Sequence, residues 1–209
     1  MCCTKFLECY HSGHAVVCDT SGQLVDAWGE PEKVILPRSS CKMIQALPLV
    51  ESGAADALGL TPQHLSLACS SHQSQQFHLD MVNAWLENLG LGESDLRCGS
   101  AMPHDPETRK ILNKTDASPC QIHNECSGKH SGFLSVSQRL GAGANYVALD
   151  HPVQRACLEA TERMTGVTSA GHGIDGCAAP NFWNVTIPGT LLFVTPAANW
   201  SMLGANPRR

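Results

Sequence analysis

The chain has 209 residues, 43% hydrophobic and 16% charged, a balance that supports one ordinary domain with a sizeable core and excludes a disordered chain. Its formal net charge is −5 and no long block of either sign occurs, so no electrostatic footprint for nucleic acid is present. No apolar run reaches the roughly 18 residues of a membrane span, and residues 1–11 lack the basic start and apolar run of a secretory leader.

Two apolar stretches, 14–19 and 24–28, flank Ser21-Gly22-Gln23 after Thr20 and predict a β-hairpin. Pro31 and Pro37 bracket a short strand at 34–36. Met43, Ile44, Leu47 and Val50 then recur at helical spacing, with Ser39 or Ser40 as cap and Pro48 kinking or breaking the helix. Residues 65–69 read as a short buried strand running into the polar turn Ser70-Ser71-His72. Phe77, Met81, Trp85 and Leu89, at steps of four, predict an amphipathic helix that stops near Gly90. Pro103-His104-Asp105-Pro106 is a loop before a short helix to Lys114. A further helix begins around Lys129 and stops by Gly141. Pro152 opens another, with Val153, Ala156, Cys157, Ala160 and Met164 on one face and Gly166 at its end. Strands and helices are interspersed, so the fold class is α/β or α+β.

Four segments carry chemistry. Ser39-Ser40-Cys41-Lys42, read as S-x-x-K, sets a hydroxyl at a helix start and a lysine one turn on. A base beside a serine makes it a nucleophile, and burial lowers a lysine's pKa enough for it to be that base. A helix cap followed by a solvated lysine has the same spelling. Cys69-Ser70-Ser71-His72 displays polar groups in a turn, or simply caps a helix with Ser71. Asn124-Glu125-Cys126-Ser127-Gly128-Lys129-His130 sets a thiol, an amine and an imidazole within one helical turn; thiolate suits Zn²⁺, whereas lysine is more often a salt-bridge partner. Gly173 to Pro180 encloses Asp175 and Cys177 in small residues, as a tight loop requires. Eleven cysteines, an odd count without a CxxC pair, fit reduced thiols in a cytosol, Cys2 and Cys3 included.

In this order the four segments resemble the asparaginase II family, which includes the rhizobial inducible asparaginase. The resemblance covers roughly residues 6–182. It implies an antiparallel or mixed sheet flanked by helices, similar to serine β-lactamases and penicillin-binding proteins. It implies a serine amidohydrolase that converts L-asparagine to aspartate and ammonia in the cytoplasm, with Ser39, Lys42 and Ser71 catalytic and either serine attacking. Arg38, His72, His130 and Asp175 match substrate-binding or neighbouring positions, and Cys126, Lys129 and Cys177 match a zinc site. A homodimer is implied; no nucleic-acid or membrane partner is. A non-catalytic zinc- or thiol-binding relative and a penicillin-recognising serine acylase are the competing readings. The chain departs from the family at Ser74 and Gln75, where a glycine and an acid are usual. It also changes texture after Phe182: residues 190–195 are strand-like, 196–209 turn-rich, and 183–209 read as a divergent tail. A truncated sheet with weak or no activity is therefore expected.

Overall fold

The computed structural model describes residues 10–19 and 21–185. Thr20, Cys2, Cys3 and the stretches expected at 190–195 and 196–209 lie outside them. β1 (Ala15–Cys18) and β2 (Leu24–Trp28) form the expected antiparallel hairpin, with a register shift between Val17 and Cys18. Asp19 closes its turn by accepting from the Ser21 and Gln23 amides at 2.8 and 3.0 Å. β3 (Val34–Ile35) pairs antiparallel with β6 (Asn184–Val185), and β4 (His172–Ile174) with β5 (Pro180–Phe182). Among the described residues the strands thus form three separate two-stranded ladders, in a mixed α/β chain dominated by helices.

The S-x-x-K segment is a 3-10 turn, Arg38–Cys41, that leads into α1 (Lys42–Gln45). Neither serine caps it: Ser40 Oγ turns back to donate to the Pro37 carbonyl at 2.5 Å. Pro48 breaks the helix as expected. It sits in the first turn of α2 (Leu47–Glu51), where its missing N–H costs nothing. The buried residues of α1 and α2 are Lys42, Ile44, Gln45, Pro48 and Leu49, while Met43 and Val50 of the expected stripe are exposed. α3 (Ala54–Ala57) follows the left-handed Gly53.

Residues 65–69 belong to α4 (Pro62–Cys69), not to a strand. Pro62 opens it, and Thr61 donates its amide to His64 Nδ1 at 3.2 Å, so helix-start chemistry overrides a short apolar run. α5 (Gln76–Asn88) ends beside Gly90 (φ +68°) as predicted. Its buried face is Leu79, Val82, Trp85 and Leu86, while Phe77 is exposed; steps of four drift around a helix of 3.6 residues per turn, and steps of three and four do not. α6 (Pro106–Thr115) is capped by Asp105, which accepts from the Thr108 amide at 2.8 Å.

α7 (Ser127–Arg139) is the spine of the molecule, buried from Ser127 through Ser137. Such a polar helix tolerates burial because Ser131 and Ser135 donate to their own i−4 carbonyls at 3.0 and 2.9 Å. Gly128 lets α4 lie against it: a Cβ there would stand 2.7 Å from the Leu67 carbonyl oxygen. α8 (Pro152–Thr165) ends on left-handed Gly166 (φ +69°) and packs against α1 and α2. Trp85, Phe133, Leu49 and Tyr146 fill the space around α7. No described helix is long and apolar enough to cross a membrane.

Candidate functional site

Lys42 is the first residue of α1, and its side chain runs inward from the surface turn until it is 1% exposed. Its Nζ donates to the Ser70 carbonyl at 2.7 Å and lies 2.8 Å from Ser71 Oγ. Ser70 terminates α4 in extended conformation, which swings Ser71 out to solvent with the amine behind it. Burial lowers the Lys42 pKa, and the Lys129 charge lowers it further against the opposing pull of the Cys126 and Cys177 sulfurs. A buried amine with a depressed pKa, in contact with an exposed hydroxyl, is equipped to take that hydroxyl's proton.

Ser39 stands apart from this contact. It is exposed, its carbonyl accepts the Lys42 amide, and its hydroxyl makes no hydrogen bond to a described residue. Arg38 before it holds a left-handed backbone (φ +51°), unusual for a residue with a side chain.

Behind Lys42 lie Cys126, Lys129, His130 and Cys177. Cys126 precedes α7, Lys129 and His130 occupy its first turn, and Cys177 sits on the β4–β5 turn. Lys129 Nζ donates to Cys177 Sγ at 3.2 Å and lies 5.7 Å from the Phe133 ring centre. The neighbouring Cys126 draws the Cys177 pKa far below the ordinary thiol range. His130 and Lys129 lower it further against burial. Cys126 is driven the other way, by Cys177 and by its burial. Burial opposes the Lys129 charge, but the two sulfurs outweigh it and raise its pKa. His130, fully buried, meets the Tyr146 hydroxyl through Nδ1 at 2.9 Å, and that hydroxyl accepts the Arg97 amide at 2.6 Å. The His130 Nε2 is buried with no partner of hydrogen-bond geometry.

Among the described residues no group of three or more His, Cys, Asp or Glu side chains is placed to hold a metal. The remaining donor set is two thiols and one amine. The two sulfurs hold the proton on that amine.

At the rim, Arg38 Nε lies 3.9 Å from Asp175 Oδ1, with the arginine 67% and the aspartate 13% exposed. Asp175 Oδ2 accepts from Asn181 Nδ2 at 2.9 Å. His72 is placed differently. Its Nδ1 accepts the Ser74 amide at 3.1 Å and its Nε2–H faces Ser127 Oγ at 2.7 Å, so both ring nitrogens are engaged within the chain. Burial, with the neighbouring His78 and Lys42, pushes its pKa down to about 4.

The fold thus gathers Lys42, Ser71, Cys126, Lys129, His130 and Cys177, sets Arg38 and Asp175 together at one edge, and makes His72 a brace beneath the 70–74 turn. Tyr146 and Asn181 are partners that the sequence reading did not single out. Asn181 directly follows the Gly173–Pro180 motif, and that adjacency was its one signal; Tyr146 had none.

A search of curated proteins returned no match. A sequence model of the L-asparaginase II family, by contrast, matches residues 3–188, from before the hairpin to beyond β6. A match of that extent, over all four motifs, makes the chain a member of the L-asparaginase II family.

Proposed function

We propose that this asparaginase-family chain hydrolyses L-asparagine to aspartate and ammonia, with Lys42 as base and Ser71 as the attacking hydroxyl. The observation that carries the reading is the 2.8 Å contact between a buried amine and an exposed serine. Ser71 Oγ bonds to the side-chain amide carbon as its proton passes to Lys42 Nζ. The carbon–nitrogen bond then breaks, Lys42 returns the proton to the leaving nitrogen, and ammonia departs. Water attacks the aspartyl ester, its proton passes to Lys42, and the serine oxygen leaves and is reprotonated. The Ser70 carbonyl holds the amine in place throughout. Ser39, three residues ahead of Lys42, makes no hydrogen bond to this pair, and the relay runs between Lys42 and Ser71. Arg38 pairs with the substrate α-carboxylate, and Asp175 stands beside it. Nothing in the contacts of His72 supports a direct role for it on substrate.

Ammonia release from asparagine and glutamine by the purified protein tests this. Replacing Ser71 by Ala or Lys42 by Met is expected to lower turnover by about 10²–10⁴-fold or more. Ser71→Ala with undiminished turnover sinks the assignment, and covalent labelling by a β-lactam favours the penicillin-recognising reading.

The same reading includes Zn²⁺ on Cys126, Lys129 and Cys177, where it would supply a fixed positive charge beside the pocket. Metal analysis of the purified protein is expected to find zinc in the parent and not in Cys177→Ser; a parent without zinc removes it from the account. A cytosolic setting accords with the free thiols, and a penicillin-binding-protein-like fold with a lysine at a helix start beside a serine. A homodimer accords with the exposed apolar residues of the hairpin.

A further inference from the structure

Asn181 lies in the middle of β5, opposite Gly173 of β4, and is 1% exposed. A buried amide in a short strand costs stability unless its polar atoms are used. Asn181 uses one: its Nδ2 donates to Asp175 Oδ2 at 2.9 Å, while its Oδ1 is buried without a partner. The acceptor sits on a turn whose backbone is closed twice, by the Asp175 amide on the Ala179 carbonyl at 3.0 Å and the Ala178 amide on the Asp175 carbonyl at 2.8 Å. Ala178 holds that turn in a left-handed conformation (φ +65°). With its backbone pinned and one oxygen held by Asn181, the carboxylate turns its other oxygen toward Arg38.

Arg38 needs such an anchor. Its side chain is mostly exposed, and its ion pair with Asp175, at 3.9 Å, is its one salt bridge among the described residues. A pair of that length with its arginine exposed holds the long side chain weakly, because fixing its rotamers offsets most of the attraction. The pair aims the guanidinium only as well as the carboxylate itself is fixed.

We propose that Asn181 is a positioning residue for substrate recognition: by fixing the Asp175 carboxylate it aims the Arg38 guanidinium at the α-carboxylate of the amino-acid substrate. The inference rests on the reading of Arg38 given above. It makes the β4–β5 ladder a determinant of selectivity for ligands that carry a free carboxylate next to the reacting arm.

The experiment compares the parent protein with Asn181→Leu, Asn181→Ala, Arg38→Ala and the Arg38/Asn181 double variants. The substrates are L-asparagine and its α-methyl ester, which lacks the carboxylate charge. Leu keeps the volume while removing the donor, and Ala guards against a Leu variant that fails to fold. For asparagine, KM is expected to rise about tenfold in the Asn181 variants, the scale of one hydrogen bond to a charged group, with kcat within about threefold of the parent. For the ester, KM is expected to stay the same in parent and variants. Each double variant is expected to match Arg38→Ala alone, since Asn181 acts through the arginine. A kcat loss shared by both substrates, additive effects in the double variants, or an unchanged KM for asparagine each overturns the proposal. A parent that releases no ammonia overturns the asparaginase reading itself, and an Arg38→Ala variant with parental KM overturns the role of Arg38; either result takes this inference with it.

Discussion

His72 is neutral because of where it sits. Its Nδ1 accepts a backbone amide, its Nε2–H is spent on Ser127, and a proton added to the ring meets a buried site beside Lys42. The folded pKa of about 4 lies below the ordinary 6.5, so the unfolded chain binds this proton more readily. The stability this histidine contributes is complete above pH 6.5 and drains away as pH falls toward 4, by roughly 3 kcal/mol. Burial lowers His64, His78, His123 and His130 in the same direction. Urea midpoints are expected to fall steeply between pH 6.5 and 4.5, and less steeply in His72→Gln. Two residues on, Ser74 holds a left-handed backbone (φ +64°), a conformation glycine adopts without strain. Its hydroxyl offsets the strain by donating to the His123 carbonyl at 2.5 Å. Ser74→Ala keeps the strain and loses the bond, a cost of about 1–2 kcal/mol. Ser74→Gly loses the bond and relieves the strain, so its melting temperature is expected to lie above that of the alanine variant. The spelling of the turn announced a departure at this position, but φ belongs to the folded backbone. Lys42 shows the same limit. The S-x-x-K spacing pointed to the amine, whereas the hydroxyl it touches belongs to a turn 29 residues away.

Helix α7 decides how closely the site's parts meet. Gly128 has no room for a side chain, since an added methyl would press on the Leu67 carbonyl oxygen at 2.7 Å and its side chain at 2.5 Å. Gly128→Ala is expected to cost about 1–3 kcal/mol through overpacking. It is also expected to slow asparagine turnover, because α4 delivers Ser71 and α7 delivers Lys129; thermal melts and ammonia release check the two halves. The hairpin, α6, α8 and the break at Pro48 were legible because each is written locally in turn residues, prolines or spacing. α4 was not. Its five apolar-leaning residues at 65–69 suit a strand as well as a helix turn, and the deciding signal, Thr61-Pro62, lies ahead of that window. In α5 the existence of the helix was legible and its buried face was not, because an apolar residue such as Phe77 near a helix end faces solvent as readily as core.

The molecule as a whole brings its chemistry together from four places: the start of α1, the end of α4, the start of α7 and the β4–β5 turn. No spacing along the chain reveals such a meeting; it became legible only through the order of four motifs shared with a family. The strands leave apolar surface uncovered, with Val17, Leu24, Val25 and Trp28 of the hairpin among the exposed residues. If the hairpin joins two copies, light scattering gives twice the chain mass, and Val25→Lys returns the protein to a monomer. Because the groups gathered around Lys42 are borrowed from segments up to 135 residues apart, turnover doubles as a gauge of structural integrity. A preparation losing its fold is expected to lose ammonia release in step with the fluorescence change of Trp85, the indole sealed against α7. A partly melted chain then leaves no residual catalyst behind, only a mixture of working molecules and silent ones.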